Sequence, residues 1–285
     1  MLLSKGGIPM NYKQLKILAI SCMLFDHVVR IFPLYRMFAP LADRLWSAGR
    51  DAAADWLLDD LPFYLMLIGR LAAPIFLFCV AQGLLHTRDV KRYTGRVLLT
   101  AVIAQVPYAL FNLAEYRVDG IAELWSWRDV GLNICFTLAL GLAALAVYRH
   151  LAEQVHPLSW VPVCAAATLL ATLLHMEGGR GYILLIFTFY LTRDLPRRQR
   201  ALWFLPAAVL SRWGLVQWIL EDFTAGPIQN CLLNVGGNYL GMLVPLAYTG
   251  EKGDAGRNFQ RLCYTFYPAH FALLALIGFL RPPLT

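Results

Sequence analysis

Apolar residues run along this chain in stretches of helical length, broken by short segments rich in arginine, lysine, glycine or proline. The stretches are 14–33, 62–85, 93–114, 130–148, 158–176, 181–192, 200–220, 236–249 and 262–280. A helix crosses a hydrocarbon core about 30 Å thick with about 20 residues. The sixth and eighth stretches fall short of that and read as tilted, re-entrant or extended by polar flanks. The pattern predicts an all-α polytopic membrane bundle of about nine transmembrane helices, eight at the least and ten at the most. Segment 34–60 departs from it. Leu41, Leu45, Trp46 and Trp56 recur near helical spacing, with Asp43, Asp51, Asp55, Asp59 and Asp60 between or after them. This predicts an amphipathic helix lying on the outer, periplasmic interface, either a connector or a roof over a cavity.

Composition agrees with a lipid solvent. Of 285 residues, 59% are hydrophobic and only 15% charged, against about a quarter charged in soluble domains. The net charge of +7 does not imply a nucleic-acid partner, because the basic residues sit in short clusters between apolar runs. Anionic membrane lipid and orientation explain them. With the N-terminus in the cytoplasm, inward-facing segments hold roughly twice as many Lys and Arg as outward-facing ones. Lys5, Lys13 and Lys16 precede the first run, which continues past any cleavage site and reads as a retained span. The six cysteines, Cys22, Cys79, Cys135, Cys164, Cys231 and Cys263, contain no C-x-x-C pair. They read as small buried hydrophobes, and no metal site is expected. No internal repeat divides residues 1–285, which read as one domain.

Ionisable groups at membrane depth cost about 2.5–3.5 kcal/mol each even on lenient scales, so they mark function. The first run holds Asp26, His27 and Arg30, the second Arg70, the seventh Arg212 and the ninth His270. At about 1.5 Å per residue, His27, Arg70 and Arg212 reach nearly the same depth, just outside the midplane. Three spans thus carry charge to one layer, which argues for a polar cavity there. An i,i+4 pair of Asp26 with Arg30 would leave Arg70 and Arg212 without partners. Histidine, titrating near neutral pH, suits proton removal from an attacking amine or hydroxyl. Asp26 lies about 100° around the helix from His27, so a direct dyad is awkward; Asp26 is better placed to hold Arg30 or Arg70.

Among the residues at outward helix ends, Asn133, His175, Glu177 and Arg180 are read as caps or mouth residues. The basic clusters Arg88, Lys91, Arg92 and Arg96, then Arg193 to Arg200, then Lys252, Arg257 and Arg261, are explained by topology. They would equally suit the phosphates of a cytoplasmic acyl donor. The chain carries no Walker, H-E-x-x-H or G-x-S-x-G motif.

Several segments resemble the TraX family, relatives of the F-pilin acetylase. They are Leu15-Lys16-Ile17-Leu18-Ala19 through Met23-Leu24-Phe25-Asp26-His27, Ile68-Gly69-Arg70 through Phe76, His86-Thr87-Arg88 before Tyr93, Gln105-Val106-Pro107, Leu132-Asn133 through Leu138, and Phe266-Tyr267-Pro268-Ala269-His270. They follow the family order over nearly the whole chain. The resemblance implies an inner-membrane enzyme that transfers an acetyl group from acetyl-CoA to a pilin N-terminus or to another envelope protein or glycan. A more distant resemblance, to inner-membrane O-acyltransferases, implies His27 as general base, with Asp26 beside it and Arg70 at the substrate or oxyanion. Arg30, Asn133, Arg212, Tyr267 and His270 are then expected to bind substrate, and Arg88, Arg92, Arg96 and Lys252 to bind the acyl-CoA. Two segments depart from the family pattern: Tyr248-Thr249-Gly250-Glu251-Lys252-Gly253 has lysine for arginine, and Glu177-Gly178-Gly179 replaces an Asp-Tyr-Gly turn. A transporter or channel, and a non-catalytic component of a pilus or conjugation apparatus, are the rival readings.

Overall fold

The computed structural model describes residues 9–127 and 129–281; Lys5 lies outside them. Among these residues the fold is all-helical. Two isolated bridges, Met10 with Tyr248 and Leu132 with Met176, pin loop segments together.

Helix α1 (Tyr12–Ile31) begins at a capping box. The Asn11 side chain accepts from the Gln14 amide, and Gln14 reaches back to the Asn11 amide. It ends where Pro33 disfavours helical geometry at Phe32, and α2 (Leu34–Ser47) leaves at 65°. Helix α3 spans Asp51–His86, 36 residues, about 54 Å of rise and far more than a hydrocarbon core needs. Its first turns fold back on α2, where Ala42, Ala54 and Leu57 form a small cluster and the Trp46 indole donates to Asp55 at 3.2 Å. The segment expected to be one interfacial helix is therefore α2 plus the start of α3. Helices α4 (Val90–Val118), α5 (Ile134–Gln154), α6 (Pro157–Leu173) and α7 (Gly179–Leu191) follow. Then come α8 (Arg197–Ser211), α9 (Trp213–Glu221), α10 (Ala225–Cys231), α11 (Gly237–Leu243) and α12 (Arg257–Leu280).

Four helices are long and apolar enough to cross a membrane: α3, α4, α5 and α12. The bent pair α1–α2, taken as one span, would make five. The expected count of about nine is not supported, for reasons visible in the backbone. Run 200–220 breaks at Arg212 (φ −124°, ψ 30°) into α8 and α9. Run 236–249 is helical only to Leu243 before tightening into a 3-10 turn. Runs 158–176 and 181–192 give α6 and α7, and the 13 residues of α7 rise only about 20 Å. Hydropathy registered each run; it did not register whether the backbone stayed one straight helix.

The lipid-facing surface is plain on α4, where Leu98, Leu99, Val102, Ile103 and Val106 form one exposed apolar face. The opposite face packs along α12, where Gly278 meets Ala114. Gly69 on α3 sits directly against Asp26 of α1, and Gly237 on α11 against Arg70. These two glycines let three helices close around one charged chamber.

Candidate functional site

A cavity of about 160 Å³ runs inside the bundle beside α1, roughly ten times what one water needs. It is lined at one end by Tyr12 and Lys16 and at the other by Asp26, His27, Arg30 and Arg70, so it follows most of the helix. Between the ends its wall is largely apolar, with Phe76, Val80, Val97 and Leu138.

The charged end is built by five segments. Asp26 bridges two cations, with Arg30 at 3.4 Å and Arg70 at 4.0 Å. Arg30 also meets Glu115 of α4 at 3.5 Å. Glu177, in the turn between α6 and α7, lines the same chamber, and its carboxylate accepts from the Ile134 amide at 3.1 Å. An anion at the start of α5 is favoured by the helix dipole. Arg70 keeps a buried Nε–H without a partner. Buried guanidinium donors are ordinarily satisfied, so this one is available to a ligand oxygen.

His27 reaches the chamber from α1 and is backed by α12. Its Nδ1 lies 2.9 Å from Nε2 of His270, and Nδ1 of His270 lies 3.0 Å from the Phe266 carbonyl. The imidazole planes are 14° apart with centroids separated by 5.1 Å, the geometry of an edge-to-edge bond in the ring plane. A carbonyl only accepts, so His270 Nδ1 carries the proton and His270 Nε2 is the acceptor. His27 Nδ1 must then donate, which leaves the lone pair of His27 on Nε2. The relay fixes one tautomer, the one with a basic atom facing away from His270. Phe111 and Phe271 flank the His27 ring at centroid distances of 5.4 and 4.7 Å and hold its orientation.

The expected site residues divide accordingly. Asp26, His27, Arg30, Arg70 and Tyr267 all line the cavity, and the Tyr267 hydroxyl has no nitrogen or oxygen partner. Asp26 bridges the two arginines, as its place about 100° around the helix from His27 predicts, and is a positioning residue by this geometry. His270, expected on the substrate, instead stands behind His27 and is 4% exposed. Arg212 stays outside the lining. It donates to the hydroxyl of Tyr182, which does line the cavity, at 3.2 Å. Asn133 is a correction: its amide donates to the Ala101 carbonyl and to Gln105, both at 2.8 Å, and its oxygen caps Cys135. With both amide hydrogens committed and the residue fully buried, it ties α5 to α4 and stays outside the cavity lining. Arg88, Arg92, Arg96 and Lys252 lie exposed at the end where α1 begins, and none lines the cavity. At that end the cation in the lining is Lys16, as Arg30 and Arg70 are at the other.

Sequence reasoning missed Glu115 and the place of Lys16 in the cavity wall, while Glu177, read as a cap or mouth residue, both caps α5 and lines the chamber. Glu177 carried one signal, an acid at the turn where the family pattern places an aspartate.

Because Gly69 touches Asp26, any side chain there displaces the carboxylate that orders both arginines. Gly69→Ala is expected to lower thermal stability, read by unfolding in detergent. Gly95, around which a Cβ meets open space, is the control, and Gly95→Ala should leave it unchanged.

The sequence pattern of the family described as TraX protein matches residues 11–278, which include every residue of this site. A probable fimbrial assembly protein, FimC of serogroup H1 from Dichelobacter nodosus, is 31% identical over 271 residues. The match covers 94% of this chain and 96% of that protein. No solved structure matches.

Proposed function

Because this chain belongs to the TraX family, we propose that its charged chamber is the acyl-transfer site of an inner-membrane enzyme linked to pilus assembly. The donor is acetyl-CoA and the acceptor an amine or hydroxyl of a pilin or another envelope protein or glycan. The N-terminus is cytoplasmic, so the Lys16 end of the cavity opens to the donor and the His27 end lies toward the periplasm. The observation that carries the reading is the His27–His270–Phe266 relay, which leaves His27 Nε2 basic beside Arg70.

The acceptor nitrogen or oxygen attacks the thioester carbonyl carbon while His27 Nε2 takes its proton. The carbonyl oxygen becomes negative and is met by the free Nε–H of Arg70. As the C–O double bond reforms, the C–S bond breaks. The thiolate of CoA leaves and takes the proton back from His27. His27 starts and ends neutral, and the acetyl group passes from sulfur to the acceptor atom with no net proton left on the enzyme.

The test is turnover of acetyl-CoA by the purified protein with envelope extract as acceptor source, in parallel with ion-flux measurements in vesicles. Acetyl transfer without flux supports the enzyme. Flux without transfer supports a transporter, the function that charges at one depth also serve. His270→Phe removes the acceptor for His27 Nδ1–H and is expected to lower kcat about tenfold or more. A shifted pH profile, and partial rescue by His270→Gln, would identify a positioning role.

A further inference from the structure

A second cavity, of about 400 Å³, opens between the last turns of α3, α5 and α7, at the end of the bundle where α1 begins. Its volume is in the range of small-molecule sites, and it shares no lining residue with the charged chamber. Two tyrosines, Tyr148 and Tyr190, line it while only 9% and 7% exposed, and their rings meet edge to face at 6.0 Å. Among the described residues neither hydroxyl bonds to a neighbour, and both stay reachable from the cavity. A phenol in so buried a ring ordinarily finds a partner. The Arg193 guanidinium lies 4.2 Å over the Tyr190 ring and donates to the Tyr190 carbonyl at 2.7 Å, so it is held at the rim. Arg149 and Glu153 also line the cavity, one turn apart on α5, and among the described residues neither has an ion-pair partner. Membrane orientation explains an arginine at this end of a helix. It does not explain two unbonded phenols beside two arginines and an unpaired acid.

Charge decides the class of ligand. Arg149 and Arg193 are matched by Glu153 and by Asp194, which pairs with Arg193 at 3.3 Å, so the pocket is neutral overall. The carbonyl ends of α5 and α7 point here and favour a cation. A simple anion would use the guanidinium and phenol donors and meet Glu153 as a like charge. A zwitterion uses both halves. We propose that this cavity binds the phosphoethanolamine headgroup of a membrane lipid, its phosphate on Arg149, Arg193 and the two phenols and its ammonium on Glu153. The rim points to a lipid as the source. Val147 and Val155, on either side of the Arg149–Glu153 turn, are 50% and 72% exposed, and Leu85 in the cavity wall is 37% exposed. Apolar surface therefore borders the pocket where acyl chains would lie. The proposal does not depend on acyl transfer.

The test uses the full-length protein, delipidated in detergent, with lipid binding read by native mass spectrometry and by the rise in Tm. Phosphatidylethanolamine should bind about tenfold tighter than phosphatidylglycerol, which lacks the ammonium. It should exceed phosphatidylcholine by a similar factor, because a trimethylated nitrogen cannot donate to Glu153. Glycerophosphoethanolamine, the same headgroup without acyl chains, should bind much more weakly. Equal binding of that soluble compound would overturn the lipid as source. Glu153→Gln should bring phosphatidylethanolamine down to the level of phosphatidylglycerol, while Arg149→Gln should weaken both about tenfold. Both side chains are exposed, so the lipid-free variants should melt with the wild type. Arg257→Gln, exposed at the same end and outside both cavities, is the control and should change nothing. Equal affinity for the three lipids, a preference for phosphatidylglycerol, or unchanged phosphatidylethanolamine binding in Glu153→Gln and Arg149→Gln overturns the proposal.

Discussion

Exchange of His27 for asparagine is expected to reduce acyl transfer by a factor of about 10²–10⁴, the usual contribution of a general base. The choice of asparagine matters. Its amide N–H sits where imidazole Nδ1–H does, so the bond to His270 Nε2 is kept. What disappears is the atom at Nε2, and with it the lone pair that takes the acceptor's proton. The ring contacts with Phe111 and Phe271 are reduced with the loss of the imidazole, so a modest fall in melting temperature is expected. Loss of activity together with loss of folded protein would leave the base unidentified, so turnover is normalised to folded protein by size-exclusion recovery. His27→Asn that retains wild-type turnover contradicts the assignment outright.

The second large effect is expected at Asp26. Asp26→Asn leaves Arg70 without its carboxylate, while Arg30 keeps Glu115. Losing one partner of a buried pair costs about 3–5 kcal/mol. Here the arginines are a quarter to a third exposed at the cavity, so water offsets part of the loss and the expected cost is about 1–3 kcal/mol. For a chain of this size that corresponds to roughly 2–5 °C in Tm. Activity should fall as well, because Arg70 no longer has a fixed position from which to meet the developing oxyanion. In an Arg70→Gln background the unpaired cation is gone, so Asp26→Asn should cost clearly less than it does alone. Strictly additive effects in that cycle would mean that the two residues do not act as a pair.

Much of this chamber is legible in the sequence because the membrane makes charge conspicuous. Asp26, His27, Arg30 and Arg70 stand out from apolar runs, and the 100° between Asp26 and His27 points the carboxylate at the arginines, as observed. The His27–His270 bond was not legible. Its partners are 243 positions apart, and no spacing rule joins two helices at opposite ends of a chain. Lys16 was read as topology, since lysines near the start of a first span ordinarily orient it. Only its place in the cavity wall separates it from Lys13, which pairs with Asp254 at 3.8 Å. Asn133 shows the opposite error. A polar residue opening an apolar run resembles a site residue, yet helix α5 needs an N-cap there and Asn133 supplies it. The span count erred for a related reason: an average over a window does not register the backbone break at Arg212 or the shortness of α6 and α7.

The most direct test compares envelope proteins and glycans by mass spectrometry from cells carrying the wild-type gene, the His27→Asn gene, or neither. A species heavier by one acetyl group only when the wild-type protein is present is the expected result. The same acetylated species at equal abundance with His27→Asn, or no acetylated species under any condition, would contradict acyl transfer by this histidine.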